Sequence, residues 1–363
     1  MDRVLSRDGA TVTRGVRELA CRLNNDAAGF DKAADNLRRA AQVAMSGEQL
    51  RLVVLSAGQQ VLAAPQADTI NPSFTARDCR VAKGSTKTRM YVGVDGVMVP
   101  VVTDSEKQKR REKVVSKRRS AARKGRSRTP LPPRRRGADQ SYKEFKTITF
   151  YDESNEHHHV LLSRVRRPQV GPLLRREATR LKFVEADERI ANVDGASWIP
   201  PQLDDAQLQL QGRGLDFYHC VDPHCVENVH AARRCVFGND DSGGQTWATT
   251  LLHTLKHDGY EAAHEQLLKW MVPLRGPKRA AAKQLLGYVT ERREMINYPE
   301  FTANGWQIGS GPTEARCKTS TARLKRSGAR WNLDNAESVS ALTNLRDSNQ
   351  WRPYWSTSYT TKT

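Results

Sequence analysis

The stretch MYVGVDGVMVPVV, residues 90–102, is rich in β-branched side chains that alternate with small or polar ones. It predicts a strand with an irregularity at Asp95-Gly96. Working downstream, EFKTITFY (144–151) and HHVLLSRV (158–165) predict two more strands, joined by the short Asp152-Glu153-Ser154-Asn155 turn. Residues 170–183 read as a helix with Leu173, Leu174, Ala178 and Leu181 on one side. Ile190 to Val193 is a short strand ending at Asp194-Gly195, Gln202 to Gln211 a helix, and Gly214 to Tyr218 a fifth strand. Three consecutive strands, then helix, strand, helix, strand, predict an α/β fold. Its mixed sheet has three antiparallel strands first.

Upstream, residues 1–63 read as helical. Val16, Leu19, Ala20 and Leu23 share one face, and Phe30 to Ala44 follows with Asn25 and Asp26 as available caps. Ser46 and Gln49 make a capping-box pattern for a third helix after the Met45-Ser46-Gly47 turn. This arrangement resembles a DNA-binding helix-turn-helix; the alternative is a plain helical hairpin packed on something else. Residues 64–87 read as a linker. Residues 219–305 turn helical, with strong segments at 247–257, 260–270 and 278–295 and breakers at Pro273 and Gly276-Pro277. There is no Walker-type Gly-Lys-Ser/Thr loop, so ATP-driven chemistry is not indicated.

The 363 residues allow two or three domains. No apolar run approaches the ~18 residues of a membrane span. The first residues lack a basic region followed by an apolar stretch, so secretion is not expected. Six scattered cysteines fit a reducing cytoplasm better than a disulfide framework. With 59 Lys+Arg against 40 Asp+Glu, the net charge is +19. The segment 107–136 holds 15 of those cations and one acid, Glu112, and so carries most of that charge. Pro130, Pro132 and Pro133 break helices, and apolar residues are scarce. The segment therefore predicts a mobile arm, an insertion over 106–137 that contacts nucleic-acid backbone without reading sequence. Its candidate contacts include Arg110, Arg111, Arg118, Arg119, Arg134, Arg135 and Arg136.

The densest chemistry lies at IGSGPTEARCKTSTARLKRSGARW, residues 308–331. Pro312 suits a first helical position, the helix is expected to run to about Arg326, and Gly328 ends it. Glu314 is its lone acid among Arg316, Lys318, Arg323, Lys325, Arg326 and Arg330. An acid near a helix N-terminus has a structural use, but a carboxylate on a basic helix also suits phosphodiester chemistry. Such chemistry calls for divalent ions held by carboxylates on rigid elements. Asp95, Asp194 and Glu314 supply them, each aspartate being followed by a glycine that leaves room for close approach. Asp334 and Glu337 read as a further capping box.

These words together resemble the bacterial insertion-sequence transposases of the ISKra type, over roughly Val16 to Trp351. The matching words are VGVDGVMVP (92–100), ADQSYKEFKTITFYDE (138–153), ADERIANVDGASWI (186–199), GLDFYH (214–219), HDGYEA (257–262), WQIGSGPTEARCKT (306–319) and RLKRSGARW (323–331). The resemblance implies an RNase H-like fold with a large helical insertion before the catalytic glutamate helix. It also implies an Asp-Asp-Glu triad at Asp95, Asp194 and Glu314 that binds Mg²⁺ or Mn²⁺. DNA is then the substrate, at transposon ends and target, and the active complex is a homodimer or larger multimer. Arg316, Lys318, Lys325, Arg326 and Arg330 are candidate DNA contacts. Asp216 competes for the second metal position. Because Asp216 to His219 resembles the Asp-x-x-His word of Mutator and hAT transposases, Asp216 and His219 are expected as supporting residues. A non-catalytic DNA-binding repressor and an RNase H-like nuclease without strand transfer are the alternatives.

Weaker constellations remain. His219, Cys220, His224, Cys225, His230 and Cys235 crowd together without standard zinc spacing. The triplet His157-His158-His159 is expected at the surface. Trp306, Trp331, Trp351 and Trp355 are expected mostly in the core.

Overall fold

The computed structural model describes residues 12–64, 70–125, 141–218, 225–239 and 241–357. Strand β1 (Arg89–Pro100) lies at the centre of a five-stranded sheet with β2 (Tyr142–Asp152), β3 (His158–Ser163), β4 (Glu188–Val193) and β5 (Gly212–Leu215). The order is β3-β2-β1-β4-β5; β1, β2 and β3 pair antiparallel, and β4 and β5 join parallel, so the sheet is mixed. The helices begin with α1 (Arg14–Asp26), α2 (Phe30–Ala41) and α3 (Gly47–Ala63), followed by α4 (Asp104–Arg123), α5 (Val170–Arg180) and α6 (Ile199–Ala206). The segment after β5 supplies α7 (Cys225–Phe237), α8 (Ser242–His257), α9 (Tyr260–Met271), α10 (Gly276–Glu291) and α11 (Tyr298–Ala303). Last come α12 (Gly311–Thr321), α13 (Leu333–Asp347) and α14 (Trp351–Thr357).

Two cores form. One gathers Val92, Val94, Ile148 and Phe150 with α5, α6 and the α7–α11 segment. The other gathers Val99, Phe145 and Leu162 with α1–α3, α13 and α14. Trp306 belongs to the first core; Trp331, Trp351 and Trp355 belong to the second. Within the stretch read as a linker, Ile70, Phe74 and Cys79 are buried.

Several elements differ from the sequence expectation. The β1–β2 ladder runs unbroken from Met90–Asp152 to Pro100–Tyr142, so there is no irregularity at Asp95-Gly96. Gly96 makes room for a neighbouring side chain instead: a Cβ there would fall 2.2 Å from Glu144 Oε1. Helix α6 starts early because Pro200 and Pro201 suit a first turn, and it ends at Gln207, where φ is 55°. Strand β5 stops at Leu215 because Phe217 N–H turns away to Ile308 O at 2.9 Å. Gly29 precedes α2; Asp26 instead pairs with Arg346 at 2.8 Å. The Ser46–Gln49 box forms as expected.

The expected mobile arm is, over Asp104–Arg123, a 20-residue helix. Thr103 and Glu106 close a capping box at its start, Lys and Arg are good helix formers, and the three prolines lie beyond its end. Arg134, Arg135 and Arg136 lie outside the described residues, as does His219. Helix α12 ends at Thr321 and not near Arg326. The Leu324 and Lys325 N–H groups both fold back to Thr321 O at 2.9 Å, and Arg323 is drawn over the Phe30 and Trp331 rings. Asn332 caps α13; the expected Asp334–Glu337 box is absent because both carboxylates bind Arg164, at 2.8 and 2.5 Å. His159 is buried, not at the surface, and contacts Glu177 at 3.0 Å.

Helix α3 crosses α13 closely: a Cβ on Gly58 would lie 2.1 Å from Ser338 O. Its exposed side shows Glu48, Leu52, Ser56 and Gln59, and its one cation, Arg51, is tied to Glu48 at 2.6 Å. Edge strand β3 is closed by α13, since Ser348 Oγ accepts from Val160 N–H and Asn344 Oδ1 from Leu162 N–H, both at 2.9 Å. Among the described residues no helix is long and apolar enough to cross a membrane.

Candidate active site

Strand register sets the first two acids side by side. Val92 of β1 pairs with Ala191 of β4, and Val193 of β4 with Leu215 of β5. The β1–β4 ladder ends at Val92–Ala191; carried three residues on, its register would put Asp194 level with Asp95, and the β4–β5 register carried one residue on puts Asp216 level with Asp194. Three aspartates on adjacent strands therefore form a row, Asp95 within β1 and Asp194 and Asp216 directly after β4 and β5.

Glu314 reaches this row because α12 lies directly against β1. The contact point is Gly93, where a Cβ would fall 1.8 Å from Thr313 Oγ1. A side chain at 93 would push α12 off the sheet. We expect Gly93→Val to destabilise the fold by about 1–3 kcal/mol through overpacking. It should also abolish any activity that needs Asp95 and Glu314 together. A thermal melt paired with an activity assay checks this.

Asp95, Asp194, Ser310 and Glu314 line one cavity of ≈ 830 Å³, together with Lys318, Lys325 and Arg326. Asp95 Oδ2 accepts from Cys317 Sγ at 3.1 Å, and Asp194 Oδ1 from the Ala196 N–H at 2.9 Å. Ser310 Oγ lies 2.7 Å from Asp216 Oδ2 and 2.8 Å from Glu314 Oε1. A hydroxyl has one proton to donate, so two carboxylates this close to it are best met when one carboxyl is itself protonated. The Glu314 carboxyl takes that part. Burial, its hydrogen bond with Asp216 and the charges of Asp216 and Asp95 push it well above the usual carboxylate range, against a smaller opposing effect of Ser310.

Crowded acids of this kind suit a divalent cation. The donors are hard carboxylate oxygens within β1, directly after β4 and on α12, the set that Mg²⁺ and Mn²⁺ take. Among the described residues no group of three such side chains is arranged as a ready-made metal site. Glu314 is engaged by Ser310, and Asp194 by the Ala196 amide. The residues fit the ion in kind.

The predicted cations separate. Lys318, Lys325 and Arg326 line the cavity. Arg330 pairs with Glu106 at the base of α4, and Arg316 lies near enough to His158 for its charge to act on that ring. Arg110, Arg111, Arg118 and Arg119 ride on α4.

Three contributors escaped the sequence reading. Gly93 sits in the quoted strand, but nothing there reveals which helix will cross it. Arg292 ends α10 and donates Nε and Nη2 to Gly195 O, at 3.1 and 2.9 Å. It thus holds the turn that carries Asp194, where Gly195 has a φ of 81°. Lys146 is buried beside the Trp198 ring, 3.8 Å from its centre, and reaches Glu144 at 2.5 Å. Burial lowers its affinity for a proton. A lysine between Phe145 and Thr147 in a strand was the available signal.

Compared with known proteins, the chain matches no family model and no curated protein.

Proposed function

We propose that this chain is a DNA transposase that cuts phosphodiesters at the ends of its element and joins the freed 3′-hydroxyls to target DNA. The observation that carries the reading is the row of Asp95, Asp194 and Asp216 beneath Glu314, beside a cavity that Lys318, Lys325 and Arg326 also line. The sheet order β3-β2-β1-β4-β5, antiparallel then parallel, supports the RNase H-like form of this reading. So does the helical segment between β5 and α12.

Asp95, Asp194 and Glu314 would hold the metal. Mg²⁺ or Mn²⁺ bound there supplies activation of the attacking oxygen and charge stabilisation at the leaving one. The chain's own side chains do the rest. Lys318, Lys325 and Arg326 bind phosphate oxygens and orient the strand. Glu314 gives up its proton as the acids become neutralised, and Ser310 keeps that carboxylate facing the row. Water attacks phosphorus, the P–O3′ bond breaks, and a 3′-hydroxyl leaves. In the joining step that hydroxyl attacks a target phosphodiester and expels a target 3′-hydroxyl. Paired ends call for a dimer or larger assembly.

Asp194 is the second metal ligand in this account because it lines the cavity; Asp216, buried, positions Glu314 through Ser310. We expect Asp194→Asn to lower Mg²⁺-dependent cleavage by ~10³-fold or more, as for loss of a group that acts on the transition state. Asp216→Asn should cost ~10- to 100-fold, as for a residue that orients a ligand. Cleavage of labelled element-end DNA measures both, and the reverse ranking overturns the assignment.

A further inference from the structure

Helix α4 has no buried residue. It carries nine Lys and Arg against three acids. A helix that is polar all round gains little from packing on its own fold. Its cations also repel one another, so it is suited to an anionic partner.

The distribution of charge says which kind. At 100° per residue, the exposed cations Lys109, Arg110, Lys113, Lys117, Arg119 and Arg123 cover about half the circumference of the helix. Val114 and Val115 lie half-buried on the opposite side. A flat anionic surface meets one narrow stripe of a helix. Cations spread over half the circumference fit a partner with negative walls on both sides. The major groove of duplex DNA is about 12 Å wide and admits an α-helix of ~10–12 Å diameter between two phosphate backbones. Twenty residues make a rod of ~30 Å, long enough to lie in that groove for about half a turn.

The base of the rod is fixed. Val102 N–H donates to Trp331 O at 2.9 Å, Val101 bridges Trp331, and Arg330 pairs with Glu106 in the first turn of α4. The same segment, 322–331, sends Lys325 and Arg326 to the cavity of the acids. One basic track thus runs from the acids to the helix.

We propose that α4 is a preformed rod that lies in the major groove of the duplex flanking the bond to be cut, at a distance from the acids set by segment 322–331. The inference rests on the DNA-processing reading of the cavity but concerns binding alone. It differs from a charged tether, which needs cations and no helix.

The test uses the full chain and a random-sequence duplex of about 30 base pairs in metal-free buffer. Val114→Pro with Val115→Pro removes the helix and keeps every cation; Val114→Ala with Val115→Ala keeps both. We expect at least ~10-fold weaker binding for the proline pair, unchanged binding for the alanine pair, and melting temperatures close to the parent's because no α4 residue is buried. Methyl green, which occupies the major groove, should compete with the parent protein, and netropsin, which occupies the minor groove, should not. Full affinity of the proline pair, or competition by netropsin in place of methyl green, overturns the proposal. So does self-association through α4 without DNA binding. If the parent binds in this way yet never cuts with Mg²⁺, the rod stands and the transposase reading falls.

Discussion

On the proposed function, Glu314→Gln is expected to lower Mg²⁺-dependent cleavage by ~10³-fold or more, to leave DNA affinity within about twofold, and to keep or raise the melting temperature. The three effects have one origin. Gln keeps the shape of the side chain, so α12 still lies on Gly93 and Ser310 keeps a partner oxygen. It removes the charge that a metal needs, and activity goes with it. It also ends the cost of holding a buried carboxyl protonated at neutral pH beside Asp216 and Asp95 in the metal-free protein. The proposed DNA contacts, Lys318, Lys325, Arg326 and α4, are untouched. Cleavage, fluorescence anisotropy and a thermal melt on one preparation read all three. A variant that cuts normally removes Glu314 from the chemistry; one that unfolds shows the carboxylate to be structural.

Glu177→Gln destabilises the fold by about 3–5 kcal/mol at neutral pH, the range for breaking a buried ion pair. Glu177 on α5 is almost wholly buried and lies 3.0 Å from His159, 2.6 Å from Arg176 and 2.7 Å from Arg180. Burial alone would raise its carboxyl, but the bond and charge of His159 and the charges of Arg180 and Arg176 outweigh it and hold it at about 2. A carboxyl depressed in the folded state adds stability that is fully present above its unfolded value, about 4.5. That stability fades as the pH falls toward 2. Spread over that window, the loss amounts to about 3 kcal/mol. Gln has no such titration, so parent and variant should converge in stability between about pH 5 and 2. Denaturant melts at pH 7 and pH 3 decide it. An equal gap at both pH values removes Glu177 from the acid limb.

Period-2 and period-3.6 patterns were enough to read the sheet's five strands in order, with the helices between them, because each strand has a core face that tolerates little else. Boundaries were lost where a tertiary contact decides them. Strand β5 ends where Phe217 pairs with Ile308, and α12 ends where Arg323 is pulled over two aromatic rings. Helix α4 was missed because periodicity looks for apolar stripes, and this helix has none; its capping box at Thr103 and Glu106 was the overlooked signal. At the site, Asp95 and Glu314 stood out by their neighbours in sequence. Which of Asp194 and Asp216 lines the cavity follows from register and burial, and neither is written in a local word. Ser310 lay inside the quoted Gly-Ser-Gly turn, but its bridging role needs Asp216, which is 94 residues away. Arg292 is equally remote from the turn it holds, and no spacing rule connects them.

Under the proposed function, three carboxylates from distant parts of the chain serve one metal-dependent reaction on DNA. Incubating the protein with DNA that carries the element's terminal repeats, with and without Mg²⁺, tests it most directly. Mg²⁺-dependent 3′-hydroxyl ends and their joining to target DNA are expected, both lost in Asp95→Asn. Binding without any cutting in Mg²⁺ or Mn²⁺, or cutting that survives Asp95→Asn, would contradict it.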